Sequence, residues 1–332
     1  MKKYLVTGAT GFLGSAVTAE LLAHGAKVYA LVLPDDPLSA SLPEDVTAVV
    51  GDVCDEASLA RFFSFSDSET FVVHCAGIVS ISSQPSAKLY KVNVEGTRNI
   101  VSQCFSHNVA KLIYVSSVHA IPEAPPGLVM SEPVSVSDSL VRGHYAKSKA
   151  MATSLVMDAI RNRLTASRVF PSGIIGPGDA REGSVTQMLS SFLAGKLPFA
   201  VRGGYDFVDV RDAAKGIVAC AEHGKSGSGY ILSGRYVSIR EFLELVKKEA
   251  GLKQAVRCLP IGIAKRIAPL YERISEKKGK APFFTPYSIS VLASNGLFSH
   301  QAATAAFGYA PRPLPATLRD TLLWLRGEGS RV

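Results

Sequence analysis

Leu5-Val6-Thr7-Gly8-Ala9-Thr10-Gly11-Phe12-Leu13-Gly14 is the stretch that decides the fold of this 332-residue chain. It continues a short aliphatic run that predicts a buried strand, and the residues after Gly14 repeat with helical spacing. A strand that turns through glycines into a helix directs free backbone N–H groups and the positive end of the helix dipole at one point. Because this arrangement suits a pyrophosphate, the sequence predicts a dinucleotide site rather than an ordinary glycine turn. Its predicted contacts are Gly8, Thr10, Gly11, Phe12, Leu13 and Gly14.

Composition excludes several classes of protein. With 47% hydrophobic and 19% charged residues, the chain is typical of soluble globular proteins. No apolar run is long enough to cross a bilayer, and Met1 leads into the first strand without a signal-peptide pattern, so we expect a cytoplasmic protein. The five cysteines are far apart and lack metal-ligand spacing, which predicts reduced thiols and no metal site.

Positive charge is concentrated in one segment. Between Lys247 and Lys280, ten Lys or Arg face three Glu, a net +7 of the chain's +8. Nucleic acid is not the expected partner, because the segment lacks interleaved aromatic residues and a binding motif. Residues 261–278 combine apolar residues at helical spacing with basic ones, although Pro269 interrupts them. We expect this helix to pack on the protein with a solvated basic face; the alternative is a weak peripheral contact with an anionic membrane.

Further strands alternate with helices through the first half of the chain, which predicts an α/β doubly wound parallel sheet. In such a sheet the ligand lies at the carboxyl ends of the strands. The second to fourth strands, 27–33, 46–50 and 71–74, each end in residues suited to a cofactor. Those residues are Leu33, Asp52, Val53, Cys75, Ala76 and Gly77. A sixth strand over 164–169 leads to Phe170, Pro171 and Ser172, which we expect to pass the nicotinamide.

The end of the second strand bears on the choice of cofactor. An acidic residue there accepts a hydrogen bond from the ribose 2′-OH of NAD, whereas an arginine holds the 2′-phosphate of NADP. The chain has Leu33-Pro34-Asp35-Asp36, with no arginine and two carboxylates that repel a phosphate. NAD is therefore favoured over NADP, unless Asp35 and Asp36 form only a solvated turn.

A serine, a tyrosine and a lysine carry the predicted chemistry. Ser117 follows the fifth strand, and Tyr145 and Lys149 share one face of a helix. Hydride transfer at a carbinol carbon needs a proton exchanged at its oxygen, and an ordinary tyrosine is too weak a base at neutral pH. We expect Lys149 to lower the pKa of Tyr145, and Ser117 to orient the substrate oxygen. Asn93, in a helix over 85–107, is predicted to anchor a water or a helix carbonyl near Lys149, or to cap a kink.

The chain resembles the extended short-chain dehydrogenase/reductases, the NAD-dependent epimerase/dehydratase superfamily. The motifs that carry the resemblance are Thr7 to Gly14, Gly51-Asp52-Val53, His74 to Gly77, Asn93, Val115 to Ser117, Tyr145-x-x-x-Lys149, Phe170 to Gly178 and Tyr205 to Asp212. The resemblance implies that Ser117, Tyr145 and Lys149 are the catalytic set. It also implies a homodimer through the helices that carry Asn93 and Tyr145.

The resemblance also implies a Rossmann domain and a smaller, mixed α/β substrate domain toward the C-terminus. We expect the NAD(P)-binding domain to span 1–170, with a return to the sheet at about 205–233. The substrate domain is then expected to comprise 171–204 and 234–332.

Two positions distinguish branches of this superfamily. Epimerases that act on nucleotide sugars usually carry an arginine where this chain has Tyr205, and often another where it has Phe170. Both changes remove charge, and together with the C-terminal motifs they resemble the dihydroflavonol 4-reductase and 3β-hydroxysteroid dehydrogenase branch. This likeness implies a reductase or dehydrogenase of an apolar or ring-containing small molecule. A sugar epimerase/dehydratase and a non-catalytic NAD(P)-sensing scaffold remain alternatives.

Substrate contacts are predicted at Ser80, His119, Ile174, Met188 and Tyr205. Aromatic and sulfur-containing residues near 188–205 either line a pocket for a ring or belong to an ordinary core. The Pro-rich loop from Pro122 to Pro133 is predicted to lie over the site as a flap.

Overall fold

Strands and helices alternate along most of the chain. The structure, a computed structural model, describes residues 1–197, 199–277, 282 and 284–328. The strands are β1 (Lys3–Thr7), β2 (Lys27–Val32), β3 (Val46–Val50), β4 (Phe71–His74), β5 (Lys111–Val115), β6 (Ala166–Pro171), β7 (Gly173–Ile175), β8 (Ala200–Val201), β9 (Gly204–Asp209), β10 (Gly229–Leu232), β11 (Arg235–Ser238) and β12 (Cys258–Leu259). The helices are α1 (Phe12–Ala23), α2 (Glu56–Phe63), α3 (Ala87–Tyr90), α4 (Gly96–Ser106), α5 (His144–Arg161), α6 (Ser184–Leu193), α7 (Val210–His223), α8 (Ile239–Ala250), α9 (Ile261–Lys277), α10 (Pro286–Leu292), α11 (Gln301–Phe307) and α12 (Leu314–Leu325).

Seven parallel strands form the large sheet, in the order β10-β6-β5-β4-β1-β2-β3. The order reverses between β1 and β4, so the helices that follow these two strands lie on opposite faces of the sheet. A crevice opens at such a switch point, beyond the carboxyl ends of the strands. The predicted doubly wound parallel sheet is therefore confirmed, and its switch point lies where the glycine stretch ends β1.

Both faces of the large sheet are buried. Along β1, Val6 packs with α1 and α7 on one face, while the neighbouring Leu5 packs with α2, α4 and α5 on the other. Alternate residues of a strand point to opposite faces, so a strand covered on both sides is apolar throughout. This is why β1 and β5 are continuous apolar runs in the sequence.

The helix expected over 85–107 is present as α3 and α4, joined by a π-helical turn over 91–95. Asn93 lies in that turn, so the π-helical segment coincides with a predicted site residue. The sixth strand lies two residues later than expected, at Ala166–Pro171. Pro171 has no N–H to donate, but it is the last residue of the strand, so no hydrogen bond inside the sheet is lost.

A smaller core accompanies two short sheets. β9 pairs with β7 in parallel and with β11 in antiparallel fashion, while β8 and β12 form a parallel pair. Side chains of α6, α8 and α12 pack on the three-stranded sheet around Phe207 and Phe242, whose rings stack. The mixed pairing agrees with the predicted fold class. The predicted domain boundaries stay a prediction.

α9 does not pack as the sequence predicts. It continues through Pro269, and it buries Ala264 and Ala268 rather than its larger apolar residues. Small side chains let the helix lie close to α10, so the face that packs is narrow. Ile263, Ile267, Leu270 and Ile274 are exposed as a result. The last residue of the predicted basic helix, Lys278, lies outside the described residues.

In the described part of the chain, no helix combines the length and the apolar character needed to span a bilayer.

Candidate active site

The glycine turn has the shape that a dinucleotide requires. Gly8 has a φ of +72°, and a Cβ at this residue would stand 2.7 Å from the backbone nitrogen of Ala76. A Cβ at Gly14 would overlap the carbonyl oxygen of Gly8, so the start of α1 lies directly against the turn. The first N–H groups of α1, from Phe12 onward, are therefore free to meet an anion. These residues fit a pyrophosphate.

A buried histidine connects the turn to the neighbouring strand. Nδ1 of His74 lies 2.7 Å from Oγ1 of Thr7, and Nε2 lies 3.1 Å from Oγ1 of Thr97. Thr97 donates its own proton to the carbonyl of Asn93, so the network assigns the ring proton to Nε2. Thr7 in turn accepts from the N–H of Ala76, which fixes the backbone after β4 against the glycine turn. The sequence alone does not reveal this role of His74, because its partners lie far apart in the chain.

Ser117, Tyr145 and Lys149 converge at the carboxyl end of β5. Ser117 follows that strand, and its Oγ accepts from the N–H of His119 at 3.2 Å. Tyr145 and Lys149 lie on consecutive turns of α5, and the side chains of Ser117, Tyr145 and Lys149 are all buried. Nζ of Lys149 donates to the carbonyl of Val115 at 2.9 Å. The structure therefore places the phenol, the ammonium and the hydroxyl in one cluster beside the glycine turn.

Burial is the largest influence on the pKa values of Tyr145 and Lys149 in this cluster. It raises the pKa of Tyr145 to about 12, and the hydrogen bond with Ser117 opposes this rise. It also lowers the pKa of Lys149 to about 8. Desolvation of the phenolate is the largest influence on the pKa of Tyr145, and the lowering of this pKa by Lys149 stays a prediction.

Asn93 ties the loop after β4 to α5. Its Oδ1 accepts from the N–H of Ile78 at 2.7 Å, while its Nδ2 donates to the carbonyl of Ile78 and to Oγ of Ser148. A Cβ at Gly77 would stand 3.3 Å from both Oδ1 of Asn93 and Nζ of Lys149. The glycine therefore keeps the space beside the lysine open. The side chain of Asn93 therefore positions this loop. The carbonyl to which it donates belongs to Ile78 in the loop, and not to a helix.

A cavity of about 510 Å³ lies beside the cluster. Its wall is mixed: His119, Tyr205 and Tyr287 contribute polar groups, and charged or polar residues such as Glu123, Arg142 and Asn295 alternate with apolar ones. The Tyr205 hydroxyl lies 2.6 Å from Nε2 of His119, whose ring packs edge-on against Tyr145 with centroids 5.6 Å apart. Part of the Pro-rich loop, Glu123 to Pro126 with Met130, also lines the cavity. Tyr287 was not among the predicted site residues, because no local pattern connects α10 with the fifth strand.

Several predicted substrate contacts lie away from this wall. Ser80 accepts from the N–H of Ser82 in the loop after β4, Ile174 packs against the large core, and Met188 packs against the smaller core. Of the aromatic residues predicted around Met188, Phe192 is buried in that smaller core and Phe199 pairs with Phe284. Packing in a hydrophobic core accounts better for Ile174, Met188 and Phe192 than contact with a substrate does.

Phe170 is a further correction. It is fully buried in an apolar cluster with Val118, Ile121 and Ile231, so its side chain presents no surface to a cofactor or a substrate. The cause is its place in β6, an interior strand of the large sheet. Pro171 and Ser172, at the end of this strand, are also buried.

The adenosine end of the predicted site contains an arginine that the sequence did not reveal. Arg181 donates to both carboxylate oxygens of Asp36 at 2.9 and 2.7 Å, and Thr10 of the glycine turn donates to the same carboxylate at 2.7 Å. The alternative of a solvated turn is therefore wrong for Asp36, whose side chain is 3% exposed. The argument that no arginine is present is wrong too, since Arg181 reaches the site from the loop before α6.

The other predicted adenosine contacts differ in exposure. Leu33 is half exposed. Oδ1 of Asp52 accepts from the N–H of Cys54 at 2.9 Å. Val53 is buried against Gly96 at the start of α4, so its side chain is committed to packing. Cys75 and Ala76 are partly exposed beside Gly77.

Comparison with known proteins agrees with this geometry. The model of the NAD dependent epimerase/dehydratase family matches residues 4–233. The chain is 27% identical over 98% of both chains to sterol demethylase protein B of Methylococcus capsulatus. It is 24% identical to 3beta-hydroxysteroid-dehydrogenase/decarboxylase isoform 1 of Arabidopsis thaliana, over 96% of this chain and 78% of that protein. The crystal structure of gox2253 superposes with a TM-score of 0.86 at 32% identity and covers both chains completely. The chain therefore belongs to the NAD-dependent epimerase/dehydratase family, which comprises enzymes of the extended short-chain dehydrogenase/reductase type.

Proposed function

We propose that this enzyme interconverts a ketone and a secondary alcohol on an apolar, ring-containing small molecule, with Tyr145 as the general acid and base. The observation that carries the proposal is the edge-on contact of Tyr145 with His119, a residue of the wall of the 510 Å³ cavity. A cavity of this size accommodates a compact multi-ring molecule. The reacting oxygen would then lie beyond His119, next to the phenol of Tyr145.

The residues of the cluster have distinct roles in this proposal. The bound nicotinamide cofactor supplies or accepts the hydride. Tyr145 exchanges the proton of the substrate oxygen, and Ser117 orients that oxygen by a hydrogen bond. Lys149 supplies positive charge that favours the phenolate and reaches toward the cofactor ribose. Asn93 holds the loop over Lys149 through Ile78.

One part of the cavity wall suits the apolar portion of a substrate. Ile121, Met130, Val291 and Phe298 contribute apolar groups to its wall. Tyr205 stands at the position where nucleotide-sugar epimerases usually carry a diphosphate-binding arginine, and its hydroxyl is already paired with His119. The names of the two relatives, a sterol demethylase protein and a hydroxysteroid dehydrogenase/decarboxylase, agree with a fused-ring substrate.

NAD is the cofactor that we propose this chain prefers. The carboxylate of Asp36 is buried, and Arg181 is its ion-pair partner. A 2′-phosphate would have to compete with Asp36 for the guanidinium, whereas a 2′-hydroxyl adds no charge beside the carboxylate. The pair therefore favours NAD, although the sequence argument from a missing arginine was wrong.

The test is turnover of purified enzyme with matched substrate panels. A 3β-hydroxysteroid and a flavan-3,4-diol are supplied with NAD or NADP, and the corresponding 3-ketosteroid and flavanonol with the reduced cofactors; a nucleotide sugar is supplied with NAD, and products are identified by mass spectrometry. We expect a steroid or flavonoid alcohol to be converted to its ketone with formation of reduced cofactor. Conversion of a nucleotide sugar to its epimer, with no net change in the cofactor, would replace this proposal by an epimerase. Cofactor binding without turnover of any panel member would leave only a cofactor-sensing role.

A further inference from the structure

The exposed side of α9 differs in composition from an ordinary solvated helix. Ile263, Ile267, Leu270 and Ile274 are between 38% and 65% exposed. Their spacing of three or four residues places them in one row along the helix, which we call the apolar stripe. Scattered apolar residues on a protein surface are normal, but a continuous row of large ones is a sign of a binding surface.

Basic side chains accompany the apolar stripe. Lys265, Arg266, Arg273 and Lys277 of α9 are all exposed. At 100° per residue, Arg266 and Lys277 lie immediately beside Leu270, on the side of the helix away from the buried alanines. α9 itself has four basic residues against two glutamates, and the longer segment 247–280 that contains it carries a net +7 of the chain's +8. An apolar row bordered by cations is complementary to an anionic lipid surface, in which acyl chains lie below negative headgroups.

The buried acid of α9 shows how the helix is held. Glu272 lies on the packed side, and its Oε1 accepts from the N–H of Ser83 at 2.8 Å. Ala264 and Ala268 pack on Ile289 of α10. The stripe is therefore presented outward by a helix that is fixed on its other side. A helix anchored in this way does not need to unfold or turn to expose its large side chains.

The position of α9 connects this surface with the cavity. α10, on which α9 packs, contributes Tyr287, Ser290 and Val291 to the cavity wall. A membrane in contact with the stripe would therefore lie one helix away from the cavity. Apolar molecules dissolved in the lipid would have a short path to it.

We propose that the apolar stripe and its basic border dock this protein reversibly on an anionic membrane surface, with α9 lying in the plane of the interface. The docking does not depend on the proposed reaction, since it rests only on the surface of α9. A protein partner would also bury the stripe, but the row of cations beside isoleucine and leucine favours lipid headgroups over an uncharged protein groove.

Co-sedimentation with lipid vesicles tests the proposal. Vesicles of phosphatidylcholine with phosphatidylglycerol are compared with vesicles of phosphatidylcholine alone. We expect the wild type to bind the anionic vesicles, and the Ile267→Gln/Leu270→Gln variant to bind them at least about tenfold more weakly. The Arg266→Gln/Arg273→Gln variant should bind anionic vesicles roughly 25-fold more weakly, because each of the two cations near the surface contributes about fivefold.

Matched controls use α12, which also carries exposed apolar and basic residues. Leu323→Gln and Arg319→Gln should bind vesicles as the wild type does. Circular dichroism checks that every variant is folded, and sedimentation velocity reports self-association. The proposal is overturned if the wild type does not bind anionic vesicles, or if the α9 variants bind as well as the wild type. Equal binding to neutral vesicles would overturn the role of the basic border, and a stripe variant that changes only the sedimentation coefficient would assign the stripe to a protein contact.

Discussion

The hydroxyl of Tyr205 lies 2.6 Å from Nε2 of His119, and the hydroxyl of Tyr287 lies 3.3 Å from Nδ1 of the same ring. Burial lowers the pKa of His119 to about 4, so the ring is neutral at physiological pH. A neutral imidazole donates from one nitrogen and accepts at the other. One tyrosine hydroxyl must therefore accept a hydrogen bond from the ring while the other donates one to it. These two hydrogen bonds hold the ring of His119 in place against Tyr145.

Removal of the Tyr205 hydroxyl tests this arrangement. Tyr205→Phe leaves a buried imidazole nitrogen without its partner, and we expect kcat/KM to fall by roughly tenfold because the ring beside Tyr145 is less well held. The Kd for NAD, measured by equilibrium dialysis, should not change. Tyr29→Phe, which removes a hydroxyl from β2, is the matched control. Equal kcat/KM for both variants would show that the pair does not position the site.

Tyr145 and Lys149 should give separable kinetic effects. Tyr145→Phe removes the proton-exchanging group, so we expect kcat to fall by about 100-fold or more while NAD still binds. Lys149→Met removes the charge that favours the phenolate. We expect its kcat for alcohol oxidation at neutral pH to fall by about tenfold or more, because the phenolate of Tyr145, whose pKa burial raises to about 12, loses a neighbouring cation. Unchanged turnover in Tyr145→Phe would refute the assignment of the general acid and base.

Local patterns predicted the sheet and singled out Tyr145 and Lys149 as neighbours on one helix face, because the glycine turn and the Tyr145-x-x-x-Lys149 spacing are properties of short segments; the catalytic role of these residues stays a prediction. They did not predict the contacts that close the site. Arg181 meets Asp36 across 145 residues, and Tyr287 meets His119 across 168, so no window of sequence contains either pair. Phe170 was misjudged for a related reason. Whether an aromatic residue lines a cavity or fills a core depends on the strands beside it.

α9 shows a different limit of sequence analysis. Its periodicity correctly predicted an amphipathic helix, and the usual inference places the large apolar residues inward. Here the packed face includes Ala264, Ala268 and Glu272, while Ile263, Ile267 and Ile274 point outward. Periodicity reveals that a helix has two kinds of face, but it does not reveal which face the rest of the protein covers.

The choice of cofactor should respond to Asp36. Asp36→Ala removes the carboxylate that pairs with Arg181, so the guanidinium becomes available to a 2′-phosphate. We expect the ratio of the Kd for NADP to the Kd for NAD to fall by about tenfold or more, as measured by quenching of protein fluorescence. Arg181→Ala should raise the same ratio, because it leaves the carboxylate without its cation. If neither variant changes the ratio, the pair lies outside the cofactor contact.

Gly14 and Gly262 form a matched pair of helical glycines. A Cβ at Gly14 would overlap the carbonyl of Gly8, whereas a Cβ at Gly262 in α9 would meet no atom within 4 Å. We expect Gly14→Ala to lower the free energy of unfolding by about 2 kcal/mol or more and to weaken NAD binding, because the turn must move. Gly262→Ala should be neutral or stabilising by up to about 1 kcal/mol. Urea denaturation of the two variants, with NAD binding measured in parallel, gives the comparison. A Gly14→Ala protein as stable as the Gly262→Ala control would show that the turn can relax around a methyl group.

The stability of the protein should fall in mild acid because of His74. Burial lowers the pKa of this ring from 6.5 to about 3, so between these values the unfolded chain takes up a proton that the folded protein does not. The unfolded state binds more protons in this window, and the free energy of unfolding therefore decreases as pH falls through it and is fully retained above pH 6.5. His74→Gln removes this contribution but leaves that of His119, which has the same sign. We expect urea denaturation at a series of pH values to show a shallower acid dependence for His74→Gln than for the wild type, together with lower stability at neutral pH because Thr7 and Thr97 lose their shared partner. Parallel curves for the two proteins would mean that His74 takes up its proton without unfolding the network around it.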